Sequence, residues 1–88
     1  MISISGGNGT TKEEAIVISA PRESIGIAAE YDYLSEIYGE PERDWHLIKQ
    51  NLVYDDKAGK SYDLLTIEGK GTEYEVWFDV TDFYGKFY

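Results

Sequence analysis

The stretch "TEYEVWFDV" (Thr72–Val80) decides the fold. It alternates without a break: Tyr74, Val76, Phe78 and Val80 point one way, and Glu73, Glu75, Trp77 and Asp79 the other. Such period-two alternation marks a strand with one buried and one wet face. The buried face needs a cover.

The cover lies upstream in "IGIAAEYDYLSEIYGEP" (Ile25–Pro41). Ile27, Tyr31, Leu34 and Tyr38 follow one another at helical spacings and form one stripe. Ser24 has the chemistry of an N-cap, and Gly26 is costly in a helix interior, which favours a first turn after it. Gly39, followed closely by Pro41, is a stop signal. With the stripe turned into the sheet, Ala29, Asp32, Tyr33 and Glu36 are expected to face solvent.

The remaining elements read outward from these two. "AIVIS" (Ala15–Ser19) is short and β-branched, and Pro21 ends it. Ile2 and Ile4 alternate with Ser3 and Ser5, as on an edge strand. "WHLIKQNLVYD" (Trp45–Asp55) changes parity midway: Trp45 and Leu47 share one facing, Leu52 and Tyr54 the other. A one-residue bulge between them restores a single facing. "DDKAGK" (Asp55–Lys60) reads as a hairpin loop, "SYDLLTIE" (Ser61–Glu68) as a strand and "GKG" (Gly69–Gly71) as a turn. The aromatic tail "TDFYGKFY" (Thr81–Tyr88) is expected to pack against the body, and Thr81 or Asp82 to cap a short turn within it.

The expected architecture is therefore a small single α+β domain over residues 1–88. Its elements run β-β-α-β-β-β, with four to five antiparallel strands, sequential strands adjacent, and one α-helix on one face.

Composition narrows the function classes. There are 8 basic and 17 acidic residues in 88, a net charge of −9, and no cysteine. The acid is uneven: residues 21–44 carry −5, whereas residues 45–59 are balanced. Such a field repels nucleic-acid backbones and anionic lipid, so the expected partners are basic or neutral proteins, with no direct nucleic acid and no membrane. Lack of cysteine rules out disulfides and thiolate metal sites and suits a reducing compartment. No apolar run approaches a membrane span and no leader pattern is visible, so a cytoplasmic monomer or weak homodimer is expected.

The motifs with possible chemistry are weak. "SGGNGTTKEEAIVIS" (Ser5–Ser19) superficially suggests a phosphate cradle, but Lys12 follows two threonines and precedes Glu13 and Glu14. A P-loop needs Gly-Lys-Ser/Thr opening a long helix, whereas here a strand follows. The glycines are read as a tight turn, with Thr11 and Glu14 as a capping box. Asp55 and Asp56, even with Asp63, lack calcium-loop spacing and are read as turn formers, so no cofactor and no metal is expected. His46 is the only histidine. A small hydrolase using His46 with a carboxylate of "DVTD" (Asp79–Asp82) is the enzymatic alternative.

The leading reading is a non-enzymatic interaction domain, immunity- or inhibitor-like, that binds a basic surface. A narrower version is a nucleic-acid mimic that blocks a DNA-binding protein. The candidate partner-binding residues are Asp32, Tyr33 and Glu36 on the outer helix face, Glu40 beyond its end, and Trp77 on the polar parity of its strand. Aromatic rings among carboxylates provide both anchor and steering.

Overall fold

The computed structural model describes residues 2–84. Strands β1 (Ser3–Gly6) and β2 (Ile16–Ser19) lead into helix α1 (Glu23–Tyr38), followed by β3 (His46–Asp55), β4 (Lys60–Gly69) and β5 (Thr72–Asp79). One five-stranded sheet has the order β1-β2-β5-β4-β3, with α1 on one face.

The α+β architecture and the order of elements along the chain agree with the sequence reading; the strand neighbours differ in one respect. β2 pairs with β5, in parallel, through Ile16↔Phe78 and Val17↔Asp79, so the sheet is mixed rather than wholly antiparallel. The helix explains this. A parallel pair needs a long crossover, and α1, about 24 Å long at 1.5 Å per residue, carries the chain across the sheet. β3 therefore lands at the far edge, and the antiparallel β3-β4-β5 meander returns β5 to β2.

Composition fits this placement. β1, in which Ile4 lies between Ser3 and Ser5, takes one edge, and β3, with Lys49, Gln50 and Asn51 in mid-strand, takes the other. The apolar β2, β4 and β5 fill the centre. Ile16, Ile18, Leu65, Ile67, Val76 and Phe78 are buried together with Leu34 of the helix.

The bulge in β3 is present: Leu47 pairs with Ile67 and Lys49 with Thr66, which leaves Ile48 as the extra residue. Leu47, Leu52 and Tyr54 consequently share the helix side of the sheet. The turn after β4 has positive φ at both Lys70 (54°) and Gly71 (82°), as a type I′ hairpin requires.

The helix differs in start and facing. It begins at Glu23, with Arg22 in extended conformation at the N-cap position and no side-chain cap, so Ser24 is not the cap. Gly26 lies inside the helix because a Cβ there would stand 2.4 Å from the Phe83 ring. Its lost helix propensity is offset by close packing of the C-terminal turn, where Phe83 is buried. Gly39 ends the helix at φ 104° and donates its N–H to the Ser35 carbonyl.

The fully buried helix positions are Gly26, Ala29, Glu30 and Leu34. At 100° per residue their mean direction is roughly a quarter turn from that of Ile27, Tyr31, Leu34 and Tyr38. Ala29 thus faces the core rather than solvent, while Ile27, Tyr31 and Tyr38 flank the core half-buried. Small residues let the helix approach the sheet closely, and the larger side chains splay to either side. Tyr31 stacks on Trp45 at 6.4 Å, and Tyr38 meets Tyr74 at 5.0 Å.

After β5, Asp82 reaches back to the end of β2. It accepts hydrogen bonds from Ser19 Oγ and the Ala20 N–H, tying the end of β2 to the segment after β5. The expected packing of the aromatic tail holds for Phe83; residues 85–88 lie outside the described residues. No described helix is long and apolar enough to cross a membrane.

Candidate functional site

The glycine loop is bound up in its own structure. Gly7 N–H donates to the Ala15 carbonyl and Gly9 N–H to the Glu14 carbonyl. The buried Gly9 accepts from Trp77 N–H, and Thr11 Oγ1 accepts from Glu14 N–H, the forward half of the capping box. Lys12 reaches Asp55 at 3.2 Å. The lysine of the apparent phosphate motif is thus paired with a carboxylate.

Asp55 itself accepts from the N–H groups of Lys57 and Ala58, as a turn former does. These bonds, with Lys12, hold its carboxyl below the ordinary range. Asp63 lies on the opposite face of the sheet from Asp55, by the parity of their pairing with Leu52 and Lys60.

His46 sits exposed on β3, 3.1 Å from Glu68. Asp79 pairs six residues further along β4, opposite Tyr62, at roughly 20 Å for 3.3 Å per residue. Asp79 is buried, accepts two bonds from Thr81 and lies 3.6 Å from Lys60. The fold does not bring His46 to the "DVTD" carboxylates.

The five proposed partner-binding residues separate into two surfaces. Asp32 and Glu36 are exposed one turn apart on α1. Glu40 is exposed past the helix end and lies 3.3 Å from Arg43. Tyr33 is a correction: it is half-buried, its ring edge-on to Phe78 at 5.9 Å, because the quarter-turn rotation brings it under the helix. Trp77 lies on the other side of the sheet, half-buried and edge-on to Tyr62 at 6.0 Å. It lies apart from the helix surface.

Two features were not foreseen. The first is Ile37, 58% exposed between Glu36 and Glu40. It adjoins a shallow pocket lined by Tyr38, Asp44, Lys70 and Tyr74, giving the acidic end of the helix an apolar component. Its position on the apolar arc of α1 obscured its exposure, which arises at the end of the helix.

The second is a buried carboxyl pair. Glu30 is 1% exposed and Asp63 6% exposed, and their carboxyl groups interact between α1 and β4. Burial, then the charge of Asp63 and the bond to it, push the Glu30 pKa up to about 9, so Glu30 holds its proton at neutral pH. Glu30 Oε2 has no hydrogen-bond partner. A cavity of about 160 Å³ adjoins the pair, lined by Asp63, Gln50, Ile27, Leu52, Val80 and Phe83 among others. A sequence signal for this existed: Glu30 falls between Ile27 and Leu34 on the apolar side of the helix, and Asp63 shares the parity of Leu65 and Ile67.

Among the described residues no cluster of acidic and histidine side chains has the makings of a metal site. In comparison with known proteins, the chain matches no family model, no curated protein and no solved structure.

Proposed function

We propose that this chain is a non-enzymatic protein-interaction domain, of the immunity or inhibitor kind, that binds a basic partner surface through the outer face and C-terminal end of α1. The observation that carries the reading is electrostatic. The helix contains no lysine or arginine, its last turn has no basic residue, and Glu36 stands there exposed. A carboxylate at the negative end of a helix dipole costs about 0.3–1 kcal/mol. A cationic partner would reverse the sign of that interaction.

Ile37 supports the same reading, since an exposed apolar side chain with charged neighbours supplies the dry contact that steering charges alone lack. Tyr33 drops out as an anchor because its ring serves the core. Trp77 belongs to a different face, which the proposed contact does not use.

The test is capture of a partner from host lysate at low salt, repeated with Asp32→Lys/Glu36→Lys. The expected result is a defined partner whose capture weakens steeply with salt and is abolished by the double reversal, with circular dichroism and melting unchanged. Capture by the folded double variant equal to that of the parent would refute the helix surface.

A further inference from the structure

We propose that the cavity between α1 and β3 is a binding site for a lysine side chain, its methylene stem between Ile27, Leu52 and Phe83 and its ammonium group at Asp63. The lysine is taken to come from the basic partner, so to that extent the inference rests on the function proposed above.

Charge comes first. A hydrogen bond between two carboxyl groups requires at least one proton, and both groups keep acceptor capacity beyond that bond. Glu30 and Asp63 thus place carboxyl oxygens below the protein surface, where an acceptor without a donor is costly. Among the described residues the ion-paired cations are Lys12, Arg43 and Lys60, with carboxylates elsewhere. The pair thus lacks a cation, and Glu30 Oε2 lacks even a hydrogen-bond donor.

Shape is second. Asp63 lines the cavity, whose exposed wall is more apolar than polar. A long methylene chain bearing a charged head matches that division. The volume of about 160 Å³ resembles cavities of roughly 150 Å³ that hold a benzene-sized ligand. Beyond Cα, lysine has five heavy atoms. The guanidinium arm of arginine has seven and ends in a planar fork that needs more width.

Position is third. Leu52 is 48% exposed on the edge strand, and Tyr84 on the far side is 50% exposed, so among the described residues the cavity opens to solvent.

The test uses the full chain and n-butylammonium chloride as the lysine surrogate. Amide resonances are followed by NMR, with n-butanol as the uncharged control at matched ionic strength. Saturable shifts are expected at Ile27, Leu52, Asp63 and Phe83, with butanol bound about tenfold more weakly because it lacks the charge-assisted bond. Asp63→Asn should erase that preference while keeping the shape of the site. Equal binding of amine and alcohol by the parent chain, or absence of saturable shifts at these residues, overturns the proposal even if Asp63→Asn fails to fold. The Asp32→Lys/Glu36→Lys variant should bind butylammonium normally. Amine binding that fails while lysate capture still depends on the helix charges refutes the pocket alone. Amine binding that persists while capture ignores those charges refutes the helix surface alone.

Discussion

Replacing Glu30 by Gln should stabilise the domain at neutral pH. The amide retains the shape of a protonated carboxyl and still donates to Asp63, but brings no proton requirement. In the unfolded chain Glu30 titrates at its ordinary value of 4.5; in the folded chain it does so at about 9. Between those values the folded state binds the extra proton, so stability is greatest near pH 4.5 and declines as pH rises toward 9. The slope is about −1.4 kcal/mol per pH unit. By pH 7 the requirement amounts to roughly 3 kcal/mol, a large fraction of the stability of a small domain. Glu30→Gln removes it, so the melting temperature at pH 7 should rise by on the order of 10 °C, with little change at pH 4.5. Urea unfolding of both proteins at pH 5, 6, 7 and 8, followed by circular dichroism, measures this directly. Asp44 and Asp55, whose folded carboxyls titrate below the ordinary 3.8, have the opposite sign, but their contribution is lost only in more acidic solution. Tyr31 and Tyr38, raised mainly by burial, act above pH 10. A parent stability that is flat or rising from pH 5 to 8, parallel to that of Glu30→Gln, would show that the pair does not hold its proton as described.

Gly26→Ala should destabilise by about 1–3 kcal/mol despite the better helix propensity of alanine, because the methyl group meets the Phe83 ring. In the Phe83→Ala background the same change should be neutral or favourable, a coupling that a double-mutant cycle of urea unfolding reads. Tyr33→Ala should cost about 2 kcal/mol through lost packing on Phe78, whereas Asp32→Lys/Glu36→Lys should leave stability unchanged or slightly higher. Lys12→Ala should leave the melting temperature nearly unchanged, and ATP should not raise the melting temperature of either protein, since the loop N–H groups at Gly7 and Gly9 are already paired.

The sequence by itself determined what depends on near neighbours and on period. The alternation of Thr72–Val80 separated buried Val76, Phe78 and Val80 from exposed Glu73 and Glu75, but Tyr74 is exposed and Asp79 buried, against that pattern. The parity change in β3 announced its bulge, and Gly39 the end of the helix, because a register flip and a positive φ leave their marks within a few residues. The candidate site was legible only in part. Asp32, Glu36 and Glu40 are exposed as their composition suggests, but Tyr33 and Trp77 are not companions of that surface.

The tertiary structure decided what depends on remote partners. Which strand lies beside β2 was fixed by the reach of α1 and the return of the meander, not by any local signal in β2. The facing of α1 was set by closeness of approach: Gly26 and Ala29 admit Phe83 and the sheet, so the helix turns its small residues inward and leaves its tyrosines at the flanks. Glu30 and Asp63 are 33 positions apart, and each alone is an acid on an apolar face. The raised pKa of Glu30 arises only when the helix is laid on the sheet, because a carboxyl changes its ionisation in response to the medium and neighbours around it.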